Sequence, residues 1–376
     1  MPTIRILVFV KNAGVKLNKY TLFTPGPTDI PPDVLKVLSK PIFYHREENF
    51  AKLLKEVTDA LGKILSSSGK IYFFTSSGTG AMEAACTNIL SSKDKPVVAL
   101  CGKFGQRWLE LCKAYRIKPI VIKEDYGKAI SPDKIEKVLK KRKSPTVLFT
   151  TLTETSTGVL NDIKAFGKIT KKFNAYLVVD GVAGIGADRC YQDEWNIDIL
   201  VGASQKALMS PPGISFISVS KRALKKIQTS TLPKYYFDLN IYEKFREKAQ
   251  TPWTPAINVL VGLARGLKII LKRGIEKNFL YHQRLGDHTR QRVQKMGLEI
   301  MPSRPSNALT VVKMPEDIGA TRIIKRVKEK YGILFADGQA ELKNRIIRIG
   351  HMGNYSIRKM DRALDALAEV LNQWRR

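Results

Sequence analysis

Between residues 71 and 219 the chain repeats one unit: a short run of β-branched or aromatic residues, a polar turn, and a stretch of helical character. The runs are 71–75 (IYFFT), 97–101 (VVALC), 118–123, 146–151 (TVLFTT), 176–180 (YLVVD), 198–202 (DILVG) and 214–219 (ISFISV). Several are apolar on both faces, the pattern of strands buried between helix layers. Seven such strands alternating with helices predict a three-layer α/β unit around a mostly parallel seven-stranded sheet. In that architecture loops and helix N-termini converge at the carboxyl ends of the strands, so polar residues there are the functional candidates.

At 376 residues the chain is expected to hold a large domain and a smaller companion. Helices are predicted over 50–66 and 81–91, and a long basic one over 256–274 after the turn TPWTP. From residue 275 the pattern changes to a helix (275–296), a strand (308–313), a helix (319–331), a strand (345–349) and an amphipathic helix (355–374). We read an N-terminal segment 1–40, a large domain 41–274 and a small α+β C-terminal domain 275–376. The N-terminal segment carries TPGPTDIPPDV, long for a plain linker, and is expected to form a wall of the active site on the small-domain side.

Composition excludes several classes. Apolar residues make up 44% and charged residues 26%, which is globular rather than disordered. No apolar run approaches the roughly 20 residues of a membrane span, and the opening MPTIRILVFVKNAG has no small-residue cleavage signal, so the chain reads as cytoplasmic. Cys86, Cys101, Cys112 and Cys190 have no CxxC spacing, and His45, His282, His288 and His351 form no ligand cluster, so no metal site is expected. The 64 Lys and Arg against 34 Asp and Glu give a formal charge of +30. These cations alternate with apolar positions at helical period, as in KIEKVLKKRK (134–143) and RIIKRVKEKY (322–331), which predicts solvated helix faces rather than a specific nucleic-acid surface. Lysine-rich, histidine-poor composition also fits a thermophilic source.

The most informative segment is DILVGASQKALMSPPG (198–213), which sets Lys206 just past a buried strand. A lysine beside buried strand ends is costly unless its charge is paired or removed, and Schiff-base formation removes it. Taken alone, Lys206 would more often be a structural or surface residue. Asp180 ends the preceding strand, where a carboxylate can keep a ring nitrogen protonated or simply cap the turn GVAGIG. In IYFFTSSGTGAMEAACTNIL, Ser77, Gly78 and Thr79 fall at a strand-to-helix turn, where backbone N–H groups and hydroxyls suit a phosphate. The GK[ST] of a P-loop is missing.

The segments SSGTGAMEA, GKFGQRW, TETSTGVL, VVDGVAGIGA and GASQKALMSPPG, in this order, resemble the alanine:glyoxylate and serine:pyruvate aminotransferase group of the class V, fold-type I enzymes that use pyridoxal 5'-phosphate (PLP). The likeness runs from about residue 20 to 355. It implies a homodimer with active sites at the subunit boundary and a cofactor-binding large domain. Lys206 then matches the lysine that carries the cofactor, and Asp180 the partner of its pyridine nitrogen. Ser77, Gly78, Thr79 and Gln205 match phosphate ligands, Phe104 the aromatic stacked on the ring, and Ser156 a hydroxyl beside it. Thr251 and Thr254 match phosphate contacts from the neighbouring subunit. Many members carry Trp at the Phe104 position, and some carry Tyr at the Thr251 position.

Arg348 interrupts the apolar strand IIRIG, where an arginine needs an anionic partner. The residue alone leaves a substrate carboxylate clamp and an inter-domain ion pair open, and the resemblance favours the clamp. Tyr44 and His45 in FYHREENF are expected near the substrate mouth, and Gly26 in TPGPT either permits close substrate approach or is a plain turn glycine. Several members carry His-Gly where this chain has Leu152-Thr153, so exact donor preference does not carry over.

The implied activity is PLP-dependent transamination between serine or alanine and glyoxylate or pyruvate by a ping-pong route. The alternatives are an aspartate aminotransferase, a PLP-dependent lyase or a cysteine desulfurase; a basic nucleic-acid-binding or scaffold protein is the reading from a different class.

Overall fold

The computed structural model describes residues 20–142 and 145–374. The opening apolar stretch and the last residue of the lysine-rich run 134–143 lie outside them. In chain order the elements are β1 (Thr21–Leu22), α1 (Pro32–Leu38), α2 (Glu48–Leu65), β2 (Lys70–Phe74), α3 (Gly78–Ile89), β3 (Val97–Leu100), α4 (Lys103–Ala114), β4 (Ile120–Lys123), α5 (Pro132–Lys140), β5 (Val147–Thr151), β6 (Thr153–Glu154), β7 (Val159–Leu160), α6 (Ile163–Lys172), β8 (Tyr176–Asp180), β9 (Ile199–Ala203) and β10 (Ser215–Val219). They continue with α7 (Lys221–Ile227), α8 (Leu239–Arg246), α9 (Ile257–Arg273), α10 (Ile275–Lys295), β11 (Leu309–Lys313), α11 (Ala320–Tyr331), β12 (Ile333–Leu334), β13 (Ala336–Asp337), a 3-10 turn (Ala340–Leu342), β14 (Ile346–Gly350) and α12 (Ile357–Trp374).

The seven expected strands form one sheet in the order β2-β10-β9-β8-β5-β3-β4. All pairings are parallel except those of β10, which runs antiparallel to both neighbours. The central strands β5, β9 and β10 are buried at every position, whereas the edge strand β4 exposes Val121 and Lys123. Separate apolar clusters cover the two faces, one with α2, α5, α6 and α9, the other with α3, α4, α7 and α8. Local signals start several helices: Asp162, Ser220 and Asp238 cap α6, α7 and α8 by accepting a first-turn N–H.

A three-stranded antiparallel sheet, β11-β14-β13, packs with α10, α11 and α12 around its own core. Residues 20–24 join this second body: β1 pairs parallel with β12, and Phe23 is buried in the same core. Between the two bodies lies the carboxylate of Asp188, which accepts hydrogen bonds from Thr153 Oγ1 at 2.7 Å, Ser306 Oγ at 2.5 Å and Asn307 N at 2.8 Å.

Helix α9 crosses beneath the loop that follows β9, and a Cβ placed on Gly266 would overlap the Leu208 carbonyl oxygen. Gly266→Ala should therefore destabilise the protein by about 1–3 kcal/mol through overpacking of the 206–210 loop. Urea denaturation measures it, and an unchanged midpoint would show that the helix can retreat without cost.

Candidate active site

The parallel strands β2, β3, β5, β8 and β9 end on the same edge of the sheet, and the side chains beyond those ends converge. Asp180 closes β8 opposite Val201 of β9, and its buried Oδ1 accepts the Val182 N–H at 3.0 Å. Burial pushes its carboxyl up to about 6 and Glu154 adds to the rise, against the Val182 bond, Arg107 and Lys206, which favour the ionised form.

Lys206 sits three residues past β9, and its Nζ donates to the Pro25 carbonyl at 2.6 Å. Desolvation lowers the amine to about 8; Asp180 opposes that shift, and Arg348 and Arg107 reinforce it. The segment over the amine is anchored from both bodies. Thr28 bonds the Gln205 and Lys206 carbonyls, while Gly350 N donates to Phe23 O and Lys359 pairs with Asp29 at 2.6 Å. Gly26 lies directly on the lysine, with φ +130° and no room for a Cβ beside Nζ.

Ser77 forms the N-cap of α3 without a side-chain capping bond. The N–H groups of that first turn, at Gly78 and Thr79, have no intrahelical partner to take them. The turn packs on Val182, two residues past Asp180. Beside Lys206, the buried Oε1 of Gln205 has no hydrogen-bond partner. Phe104, in the first turn of α4, carries the Arg107 guanidinium 5.2 Å from its ring centre. Ser156 is buried and gives its hydroxyl proton to Glu154 at 2.6 Å.

Arg348 reaches the cluster from β14. Its Nε donates to Asp337 O at 2.8 Å and its Nη1 to Thr155 O at 3.3 Å. Both acceptors are neutral carbonyls, and no hydrogen bond to a carboxylate holds this buried guanidinium among the described residues. Burial lowers its pKa, against the pull of Asp337 and Glu154.

Four candidates stand apart in the single chain. Thr251 is buried and donates its hydroxyl to Trp253 O at 2.8 Å, while Thr254 faces solvent. Tyr44 is exposed and stacks edge-on with His45, whose pKa is lowered by desolvation and then by Arg46. Arg46 ties this segment to the Thr251 loop by donating to the Thr251 and Pro252 carbonyls.

Glu154, Arg107 and the Pro25 carbonyl were not among the site residues expected from sequence. A signal existed for Arg107, which follows Phe104 by three residues on one helix.

Residues 20–358 match the family Aminotransferase class-V. The chain belongs to that family. It is 37% identical to the "Soluble hydrogenase, small subunit" of Synechococcus sp., with 94% of this chain and 93% of the relative covered. It is 33% identical to the serine–glyoxylate aminotransferase of Methylorubrum extorquens, covering 89% of this chain and 86% of the relative. Among solved structures, the alanine–glyoxylate aminotransferase of Nostoc sp. superposes with a TM-score of 0.91 at 26% identity, over 95% of this chain and 96% of that one. The class-V chain described here is thus a PLP-dependent aminotransferase. Its residues suit the cofactor: a desolvated amine and an uncapped helix N-terminus lie at one strand edge.

A folded-state lysine pKa lowered from 10.5 to about 8 sets the sign of a stability effect. Below pH 8 both states of the apo protein hold the proton, and the folded state bears the full penalty of a desolvated ammonium. Between pH 8 and 10.5 the folded state alone releases it, so this penalty fades as pH rises. Lys206→Met should stabilise the apo protein by on the order of 2–3 kcal/mol at pH 7, with the gain vanishing near pH 10.5. Denaturant titrations across that range measure it; a pH-independent difference would contradict the desolvated amine.

Proposed function

We propose that this aminotransferase moves the amino group of serine or alanine to glyoxylate or pyruvate in two alternating half-reactions at Lys206. The observation that carries the proposal is the meeting of Lys206, Asp180 and Arg348 at one strand edge, each desolvated and each with its pKa displaced by burial. Bound PLP supplies an electron sink for the pair left when the substrate Cα proton departs.

The chain's own groups divide the remaining work. With a pKa near 8, Lys206 keeps a useful neutral fraction at neutral pH, and its Nζ takes the Cα proton and returns it. Asp180, with a pKa near 6, is ionised above that pH and holds positive charge on the ring nitrogen. The first turn of α3, with Ser77, Gly78 and Thr79, and the amide of Gln205 receive the phosphate. Phe104 stacks on the ring, and Ser156 lies beside it. The Arg348 guanidinium, bound so far only to neutral carbonyls, takes the α-carboxylate in a fork. Gly26, lacking a side chain, lets the Lys206 amine lie directly against the backbone.

We further propose a homodimer, in which Thr251 and Thr254 contact the partner's phosphate and Tyr44 and His45 line the mouth. Exposed Ile42, Tyr44 and Tyr235 beside the solvent-facing Thr254 loop support an interface there. Sedimentation equilibrium should give twice the 42.3 kDa chain mass, and a monomer would remove those contacts. The boundaries near residues 40 and 274 are offered as the domain limits. We assign the enzyme to the cytoplasm, since its four cysteines are free and buried.

The rivals predict different chemistry. A desulfurase needs a mobile thiolate, whereas burial pushes the Cys101 and Cys190 thiols up to about 12.

The visible absorption spectrum of purified enzyme, titrated separately with L-serine, L-alanine and L-aspartate and then with glyoxylate or pyruvate, tests the proposal. The band of lysine-bound cofactor should vanish with serine or alanine and return with the oxo acid. Lys206→Ala should abolish this cycle, with turnover down at least about 10²-fold. A band that converts only with aspartate would move the donor assignment, one that never converts would favour a lyase, and no band after PLP is supplied would overturn the reading.

A further inference from the structure

The Glu154 carboxylate is fully buried, and no lysine or arginine lies within ion-pair distance of it among the described residues. It instead collects hydrogen bonds. Oε1 accepts from Phe104 N at 3.2 Å, Ser156 N at 3.1 Å and Ser156 Oγ at 2.6 Å, and Oε2 accepts from Gly105 N at 2.8 Å. The Ser156 hydroxyl in turn accepts the Lys103 N–H at 3.0 Å. Helix α4 begins after Gly102, which has no side chain to cap it. Its first three N–H groups are closed instead by residues 154 and 156, about fifty positions downstream. Between those two, the Thr155 carbonyl accepts from Arg348 Nη1.

We propose that Glu154 is a positioning residue of the aminotransferase reaction, one buried carboxylate that sets Phe104, Ser156 and, through the adjoining carbonyl, Arg348 in register with Lys206. The proposal rests on the site reading given above. Two consequences follow from the bonding pattern. The orientation of the Phe104 ring depends on how α4 starts, and that start is fixed by Glu154. The Ser156 proton is committed to Glu154, so towards a bound ring Ser156 offers only a lone pair and acts as an acceptor.

Glu154→Gln tests the proposal because the shape is kept while the bonding cannot be. If the new amide nitrogen takes the Oε2 place, it meets the Gly105 N–H, donor against donor. If it takes the Oε1 place, it meets the Phe104 and Ser156 N–H groups, again donor against donor. Either way the first turn of α4 loses a partner.

The expected result is a fall of about 10- to 100-fold in kcat, the scale of a small misplacement of reacting groups. It should come with weaker PLP retention in equilibrium dialysis and a reduced visible circular dichroism of bound cofactor before any substrate is added. Glu154→Asp, which keeps the charge and shortens the reach by one methylene, should recover part of each signal and carries the test if the amide variant does not fold. A lower Tm with band, dichroism and kcat of the folded fraction within twofold of wild type would reduce Glu154 to a structural cap and overturn the proposal. If the wild-type chain itself shows no cofactor band, the underlying site reading fails instead, so the two failures are separable.

Discussion

An amine held out of water at the end of a buried strand is the constraint around which the molecule is arranged. Lys206 cannot keep its ordinary proton affinity where it sits: desolvation is the largest of the influences that together bring it to about 8. A lysine in that state is a defect in a structural protein and an asset where proton transfer near neutral pH is needed. Its neighbours act on it in opposite directions. Asp180 favours the ammonium, whereas Arg348 and Arg107 favour the free amine. The group is thereby held between its two forms rather than driven to either.

Holding it there requires both bodies of the chain. Sheet strands β8 and β9 bring Asp180 and Lys206 from one side. From the other, the Pro25 carbonyl closes on Nζ, and its segment is fastened through Phe23, Asp29 and β1 to the C-terminal body. Arg348 comes from that same body, on β14. The buried Asp188, bonded by Thr153 on one side and by Ser306 and Asn307 on the other, is a fixed point between them. Rotating one body against the other would change the distance from Arg348 and Pro25 to Lys206 together, so the surroundings of the guanidinium and of the amine are mechanically linked.

Much of this was legible because the signals are local. Each of the seven strands falls within one or two residues of its expected place, since runs such as DILVG and ISFISV are too apolar for anything but the middle of a sheet. Helix α3 begins at Gly78 rather than 81 because its two early glycines argue against helix by propensity, while Ser77 already has N-cap geometry. The pairing of strand-end Asp180 with the following lysine loop could be read because both lie on consecutive strands of one sheet. What could not be read depends on contacts remote in sequence. Pro25 meets a lysine 181 positions away, and Glu154 caps a helix that starts fifty residues earlier. Neither residue type signals such a role, because a carbonyl is common to every residue and a glutamate in a turn is ordinarily solvated.

The formal charge of +30 is extreme, yet the groups that shape the site respond to their immediate surroundings. Most ion pairs among the described residues, such as Lys172 with Glu136 and Lys164 with Glu194, have both partners substantially exposed, where water and salt screen them. Inside the site the balance is much closer to neutral: two buried carboxylates, Asp180 and Glu154, face Lys206, Arg348 and Arg107. An incoming carboxylate at Arg348 would remove one of the positive influences that hold the Lys206 pKa down. If Arg348 is the proposed carboxylate clamp, binding substrate should thus raise the proton affinity of the amine, readying Nζ to receive the Cα proton once the carboxylate is in place.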